Sequence, residues 1–296
     1  DIVKPHLGLS NNDYKELGNK IDLVIHSAAI VNHYGNKDLF ELINVTGTNN
    51  IIDFCNKFSI YLNHISTTSV SASIPDATNT VTFDEHCLYI GQDYESNIYI
   101  KTKFEAEYNI WEALENSNLK ASVYRLGNIC ARYTDGKFQQ NYNKNAFLNR
   151  VITLSKLDRI AKSFSDFKID LSPVDYCANI ITDLCTLESS YSKTFHIYNN
   201  SSIKLLDLIN QIRGNNDLIE VSDTDFYKYL KDKEDILGII NDLTSTKSKY
   251  NSNIEMENDF TINYMKKANL NWPKIDDEYI SKFFKKYLRK GDFNKW

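Results

Sequence analysis

The sequence predicts an α/β protein with a doubly wound parallel sheet, followed by a smaller segment that is mostly helical. Over the first two hundred residues, short apolar runs alternate with helical apolar spacing, which is typical of strands joined by helices. Over the last hundred, helical patterns dominate. The chain has 296 residues, 42% of them hydrophobic and 25% charged, so it can bury a sizeable core.

Four segments have the composition of buried strands. The clearest is 21–29, an almost continuous apolar run (IDLVIHSAA) that follows a charged turn. The next is β-branched and aromatic, as strands in parallel sheets often are. The predicted strands are 21–29, 60–68, 121–129 and 194–198.

Helical spacing fills the intervals between these strands and most of the C-terminal part. In 97–115, four apolar residues form one stripe, which we expect to face the core: Phe104, Tyr108, Trp111 and Leu114. The predicted helices are 39–58, 97–115, 203–213, 223–230, 259–268 and 279–288. We therefore expect an α/β core over 1–200 and a helical cap over 201–296.

Composition argues against several classes of protein. Lys and Arg number 34 against 39 Asp and Glu, a net charge of −5, so we expect no nucleic-acid partner. There is no apolar run of about 18 residues and no signal sequence, so we expect no membrane span. The five cysteines are widely spaced without a C-x-x-C pair, which predicts reduced thiols, a cytoplasmic protein and no metal site.

Glycine is scarce, with 10 residues in the whole chain. The closest pair, Gly127 and Gly136, is nine positions apart, so no G-x-G-x-x-G or Walker loop can be written. We expect a phosphate-binding glycine loop to lie before Asp1 or not to exist. Since the first methionine is Met256, we expect the chain to be a piece of a longer protein that does not hold a dinucleotide tightly by itself.

The sharpest chemical signal is the pair Tyr99 and Lys103. Four residues make about one helical turn, so both side chains project from the same face. A nearby cation stabilises a phenolate, which makes the phenol a candidate general acid for a carbonyl oxygen. The hydroxyl cluster 66–69 (STTS) ends the preceding predicted strand, and Gly127 ends the following one, both at the edge where α/β sheets bind ligands.

This order of hydroxyl strand, Tyr/Lys helix and glycine-ended strand resembles the active site of the extended short-chain dehydrogenase/reductases, which have a Rossmann-like fold. These motifs are most similar to those of the terminal thioester reductase domains of nonribosomal peptide synthetases. Carboxylic acid reductases and aminoadipate reductase are related families. The motifs that carry the resemblance are 1–10 (DIVKPHLGLS), 26–29 (HSAA), 44–48 (NVTGT), 66–67 (ST), 99–103 (YIKTK), 125–129 (RLGNI), 135–147 (DGKFQ to NAF) and 172–176 (SPVDY).

The resemblance implies roles for individual residues. Tyr99 would be the general acid, Lys103 would lower its pKa and bond the nicotinamide ribose, and Thr67 would hold the substrate carbonyl oxygen. Thr67 is preferred to Thr68 because strand alternation lets only one of them face the site. The cofactor would be NADP(H), bound by Asp1, Ile2, Ser27, Ala28, Ala29, Lys103, Leu126, Gly127, Asn128 and Ile129, with a substrate-loop insertion near 133–170.

Other chemically active residues receive structural interpretations. His26 and His33 lack the cysteines or paired carboxylates of a metal site, so we expect them to be structural. Cys130 lacks an evident histidine partner, so we expect it to be a packing residue. The absence of G-x-S-x-G argues against a hydrolase.

The implied function is NADPH-dependent release of an acyl or peptidyl thioester as an aldehyde, with a second reduction to an alcohol left open. The implied partner is a phosphopantetheinylated carrier domain. The basic stretch 282–295 is either a helix that closes the cap or a docking face for that acidic partner. Two alternatives stay open: another extended reductase or epimerase acting on a nucleotide sugar, steroid or acyl-CoA, and a catalytically idle interaction domain.

Overall fold

The computed structural model describes residues 1–31, 35–75, 78–214, 217–231 and 254–288. The chain divides into two compact units, each assembled from three stretches of sequence. The first comprises Asp1–Gly127, Asn179–Ile197 and Asn253–Asn271, and the second Asn128–Ala178, Tyr198–Ser252 and Trp272–Trp296. A contiguous division near residue 200 stays a prediction for the domain organisation.

The regular elements are numbered here in chain order. The strands are β1 (Leu23–His26), β2 (Tyr61–Thr67), β3 (Val81–Phe83), β4 (Ala121–Leu126), β5 (Ile129–Cys130), β6 (Arg159–Ala161), β7 (Lys168–Ile169), β8 (Ser172–Pro173), β9 (Thr194–Ile197), β10 (Ile203–Lys204), β11 (Ile219–Val221) and β12 (Ile254–Met256). The α-helices are α1 (Asn11–Gly18), α2 (Lys37–Phe40), α3 (Gly47–Phe58), α4 (Ile98–Asn116), α5 (Ala146–Ser155), α6 (Lys162–Ser165), α7 (Val174–Cys185), α8 (Leu205–Arg213), α9 (Asp223–Lys231), α10 (Asp259–Lys267) and α11 (Asp277–Leu288). Shorter turns of other helix types are Pro5–Gly8, Glu41–Thr46, Thr68–Ser71, Tyr142–Lys144 and Glu188–Ser190.

The first unit is built on a four-stranded parallel sheet with the strand order β1-β2-β4-β9. In the register, His64 of β2 lies between His26 of β1 and Val123 of β4, and Thr67 pairs with Leu126. Because the strands are parallel, their carboxyl ends share one edge, where ligands of α/β sheets bind. The predicted α/β fold with a Rossmann-like parallel sheet is confirmed.

Helix α4 begins where the Asn97 side chain accepts the N–H groups of Tyr99 and Ile100, at 3.0 and 3.2 Å. This cap satisfies two of the amide groups that the first turn leaves unpaired. The apolar stripe predicted for α4 is wrong in part, because Tyr108 is 53% exposed. Instead, the deeply buried face includes two charged residues, Lys103 and Glu107.

The second unit has its own hydrophobic core, formed by helices α5, α6, α8, α9 and α11 with short two-stranded pairs. The apolar side of α11 supplies Tyr279, Ile280, Phe283, Phe284 and Tyr287 to this core. The helix predicted from residue 203 begins only at Leu205, because Ile203 and Lys204 form strand β10 against β7.

None of the helices that the structure describes has both the length and the apolar character needed to cross a bilayer.

Candidate active site

Thr67 is the last residue of β2, at the carboxyl edge of the sheet. Its hydroxyl oxygen accepts the backbone N–H of Ser69 at 3.1 Å and so starts the short helical turn Thr68–Ser71. The hydroxyl proton of Thr67 is therefore free to be donated elsewhere. The neighbouring Thr68 hydroxyl is used differently, because it donates to the Leu126 carbonyl at 3.3 Å.

The Tyr99 phenol lies beside Thr67, and the two hydroxyl groups are hydrogen-bonded to each other. Tyr99 is the second residue of α4, so its phenol lies near the positive end of that helix dipole. Burial raises the pKa of Tyr99 above its usual value, while the hydrogen bond from Thr67 opposes that rise. The phenol is therefore protonated at neutral pH.

Lys103 lies one turn after Tyr99 and is 4% exposed. Its Nζ donates to the Ile65 carbonyl at 2.8 Å and lies 3.3 Å from His64 Nε2. Burial lowers the pKa of Lys103 from 10.5 to about 8, and the Glu107 carboxylate acts in the opposite direction. Burial is the largest influence on the Tyr99 pKa, and the Lys103 ammonium is hydrogen-bonded to β2. The lowering of the Tyr99 pKa by Lys103 stays a prediction.

Two buried histidines lie behind Lys103. Burial and the Lys103 charge lower the pKa of His64 well below its usual value, and the same two causes lower that of His26 to about 4. The Thr48 hydroxyl donates to the Asn44 carbonyl at 2.6 Å, so His26 Nε2 is the donor in its 3.0 Å contact with Thr48. His26 is thus neutral and held by hydrogen bonds, in keeping with the structural role expected for it, while His33 lies outside the described residues.

Small side chains follow β1 at the same edge of the sheet. Ser27 and Ala28 are exposed and Ala29 is half-buried, so a ligand can approach this backbone closely. The loop is fixed at Ile30, whose N–H donates to Asn44 Oδ1 at 2.7 Å and whose carbonyl accepts Asn44 Nδ2 at 3.0 Å. Together with the hydroxyl and ammonium donors on β2 and α4, these groups suit the ribose and nicotinamide of a dinucleotide.

The other residues predicted to bind the cofactor lie in several places. The Asp1 amino group donates to the Leu7 carbonyl at 2.7 Å, and the Ile2 side chain packs over Gly47 at the start of α3. A Cβ at Gly47 would lie 2.7 Å from the tip of the Ile2 side chain, which would have to shift to make room for it. In the first unit, Leu126 ends β4, and the N–H of the following Gly127 donates to the Ile197 carbonyl at 3.1 Å.

Asn128 and Ile129 begin the second unit. The Asp170 carboxylate accepts the backbone N–H and the side-chain amide of Asn128, at 2.9 and 2.7 Å, and the Ser172 hydroxyl at 2.8 Å. Ile129 pairs with Ser172 in the β5–β8 ladder. Cys130 is fully buried, and burial raises its thiol pKa well above the usual value, as a packing residue requires.

Sequence reasoning missed Glu107 and His64, which both act on Lys103. Glu107 had a readable signal, because it follows Lys103 by four residues, the same spacing that joins Lys103 to Tyr99. The basic stretch 282–295 lies partly on α11, whose aromatic residues are buried in the second unit, and residues 289–295 fall outside the described part.

Three comparisons place this chain among known proteins. It is 32% identical to a solved thiolation-reductase di-domain from an archaeal non-ribosomal peptide synthetase, with a TM-score of 0.83 over 100% of this chain and 62% of that one. It is 21% identical to a linear gramicidin synthase from Brevibacillus parabrevis, over 98% of this chain, and 26% identical to a carboxylic acid reductase from Segniliparus rugosus, over 67%. The matched regions span only 6% and 18% of those two relatives.

The resemblance to terminal reductase domains of nonribosomal peptide synthetases is thereby confirmed. The model of one protein family, described as Male sterility protein, matches residues 1–181, which is more than half of the sequence. The chain belongs to this family of NAD-binding proteins.

Proposed function

We propose that this chain reduces a thioester carried on a phosphopantetheine arm, uses NADPH, and releases the acyl group as an aldehyde. The observation that carries the proposal is the hydrogen-bonded pair of Thr67 and Tyr99 at the carboxyl edge of the parallel sheet. The 32% identity to a thiolation-reductase di-domain over the whole of this chain supports the thioester as substrate.

The bound cofactor would supply the hydride for the thioester carbon. Lys103 would hold the ribose hydroxyl groups, and the small residues after β1 would let the nucleotide approach the sheet edge. The nicotinamide would lie against Leu126 and Gly127 at the end of β4. A cofactor role for Asn128 and Ile129 stays a prediction.

Thr67 and Tyr99 would act on the carbonyl oxygen. The Thr67 oxygen accepts the Ser69 N–H, and its proton is directed to the Tyr99 phenol. With substrate bound, that proton would be donated to the oxyanion that forms. Burial keeps the Tyr99 phenol protonated, so it can give up its proton when that oxyanion develops. A single oxyanion donor of this kind contributes about 10²- to 10³-fold in kcat.

The products follow from the balance of atoms. Addition of one hydride and one proton converts the thioester into a thiohemiacetal, which breaks its C–S bond to give an aldehyde and the free carrier thiol. The partner would then be a phosphopantetheinylated carrier domain, as the di-domain neighbour suggests.

The experiment compares substrate classes on the chain in its natural polypeptide. Oxidation of NADPH and of NADH is followed with an acyl-pantetheine thioester, a nucleotide sugar and a hydroxysteroid ketone as separate substrates. We expect oxidation with the thioester, faster with NADPH, together with one free thiol per aldehyde. Turnover of only the sugar or steroid would overturn the proposal, and absence of cofactor binding would favour an idle interaction domain.

A further inference from the structure

A buried histidine lies against the Lys103 ammonium and has no part in the proposed reaction. His64 is on β2, three residues before Thr67, and is 1% exposed. Its Nε2 lies 3.3 Å from Lys103 Nζ, within hydrogen-bonding distance. The carbonyl of the next residue, Ile65, accepts another N–H of the same ammonium at 2.8 Å. Two consecutive residues of one strand therefore hold Lys103.

The direction of the hydrogen bond between His64 and Lys103 follows from the chemistry of the two groups. An ammonium group has three donors and no acceptor, so His64 Nε2 must accept. A neutral imidazole that accepts at Nε2 carries its proton on Nδ1. Burial and the Lys103 charge lower the pKa of His64 well below its usual value, so the ring stays neutral beside the cation.

This tautomer places a polar group in the interior. None of the described residues accepts a hydrogen bond from His64 Nδ1, although that atom is buried. A buried N–H without an acceptor destabilises the folded state, and an apolar side chain of similar size would avoid that cost. Packing alone therefore does not account for a histidine at this position, whereas the contact of its Nε2 with Lys103 does.

The two contacts on β2 account for two of the three N–H groups of Lys103. Within the described part of the chain, they are the hydrogen bonds that its ammonium makes. The other titratable groups near it have partners elsewhere, since His26 on β1 donates to Thr48 and Glu107 on α4 pairs with Arg125. One N–H of the ammonium is thus left to donate to a ligand.

We propose that His64 is a positioning residue: by accepting one N–H of Lys103, it orients the ammonium so that the remaining N–H reaches the ribose of the nicotinamide cofactor. The inference rests on the proposed function, which gives Lys103 the ribose as its ligand. A lysine ammonium rotates on a flexible four-carbon stem, so the single contact with Ile65 would leave its other N–H groups without a fixed direction. A second acceptor on the same strand fixes that direction.

The test compares side chains of similar size that differ in one acceptor. His64→Gln places an amide oxygen near the position of Nε2, whereas His64→Leu fills much of the same space without an acceptor. His64→Asn is a second variant without the acceptor, because its amide reaches only to the position of Nδ1, and it keeps the test open if His64→Leu does not fold. The matched control is Leu62→Met, at a fully buried position on the same strand.

The first readout needs no turnover. Calorimetry on the chain in its natural polypeptide measures the affinity for NADP⁺ and for adenosine 2′,5′-bisphosphate, which has no nicotinamide ribose, and NAD⁺ with ADP form a second such pair. We expect His64→Leu and His64→Asn to bind the dinucleotide about tenfold more weakly, as for one lost hydrogen bond, and the adenosine ligand within about twofold of the wild type. His64→Gln and Leu62→Met should bind both ligands as the wild type does. Urea unfolding shows which variants are folded.

The outcomes separate the inference from the proposed function. Equal dinucleotide affinity in the wild type and His64→Leu would overturn the inference and leave the proposed function standing. A parallel loss of affinity for both ligands would show that His64 is merely structural, which also overturns the inference. A wild type that binds a dinucleotide but reduces no thioester would overturn the proposed function alone, and one that binds no dinucleotide would overturn both.

The second readout is steady-state kinetics with the acyl-pantetheine thioester. If His64 acts through Lys103 on the ribose, His64→Leu raises the KM for NADPH by about tenfold, while the KM for the thioester changes by less than about twofold. His64→Gln should restore the KM for NADPH. A rise in both KM values, or a His64→Gln variant that behaves as His64→Leu does, would contradict the inference.

Discussion

Replacing the buried Lys103 should make this protein more stable, and Lys103→Met is the variant that tests it. The lysine is 4% exposed, and burial lowers its pKa from 10.5 to about 8. Since each tenfold change in proton affinity corresponds to 1.36 kcal/mol, the folded state pays about 3 kcal/mol to hold the charge. Loss of the hydrogen bond to the Ile65 carbonyl costs about 1 kcal/mol. The free energy of unfolding of Lys103→Met should therefore exceed that of the wild type by about 2 kcal/mol.

The pH dependence of this gain follows from linkage. The unfolded chain binds the Lys103 proton more tightly than the folded chain does. The free-energy cost of keeping Lys103 charged in the folded protein is therefore fully present below about pH 8. It declines as pH rises through the folded pKa and is gone above the unfolded value of 10.5. The stabilisation by Lys103→Met should therefore be largest near neutral pH and disappear in strong alkali.

Urea unfolding of the wild type and the variant, near neutral pH and above about pH 10, measures both quantities. The control is Lys101→Met on the same helix, where a partly exposed lysine pairs with Glu41 at 3.3 Å and the change should stay below about 1 kcal/mol. A Lys103→Met variant that is less stable than the wild type near neutral pH, or whose gain is the same in alkali, would refute the reasoning.

Three further outcomes follow from the same contacts. Thr67→Ala should lower kcat/KM for the thioester by about 10²-fold. Thr68→Ala should lower it less than about tenfold, because the Thr68 hydroxyl donates to the Leu126 carbonyl. Steady-state kinetics of the two variants measure this difference. Asn44→Ala, made in the natural polypeptide, should weaken cofactor binding because the Ile30 loop loses both of its hydrogen bonds to Asn44. Calorimetry measures this, and an unchanged cofactor affinity would contradict it. Cys130 should resist alkylation in the folded protein and react fully in denaturant, since burial raises its pKa; rapid labelling without denaturant would show otherwise.

The parallel sheet could be predicted from the sequence because its strands are continuous apolar runs between helices. The predicted strand 21–29 is longer than the observed Leu23–His26, because the chain leaves the sheet after His26 and continues as an irregular segment. In the second unit, strands of two or three residues such as β7 and β10 are too short to carry a periodicity, so only the surrounding helices could be predicted.

Helix α4 shows where sequence reasoning about the site fails. An apolar stripe suggested one buried face, but the structure buries a face that carries Lys103 and Glu107. Hydrophobic periodicity cannot detect that face, because its charges are compensated by partners on other strands, such as Arg125. The Tyr99–Lys103 spacing was readable, whereas the contact of Lys103 with His64 required the fold.

The most direct test of the central claim compares two tyrosines of the same helix. Release of free thiol from an acyl-pantetheine thioester is measured with NADPH for Tyr99→Phe and for Tyr108→Phe, the second being 53% exposed and outside the Thr67 contact. The account predicts that Tyr99→Phe lowers kcat/KM by about 10²- to 10⁴-fold, while Tyr108→Phe stays within about twofold of the wild type. A Tyr99→Phe variant that binds NADPH normally and releases thiol at a rate close to that of Tyr108→Phe would contradict it.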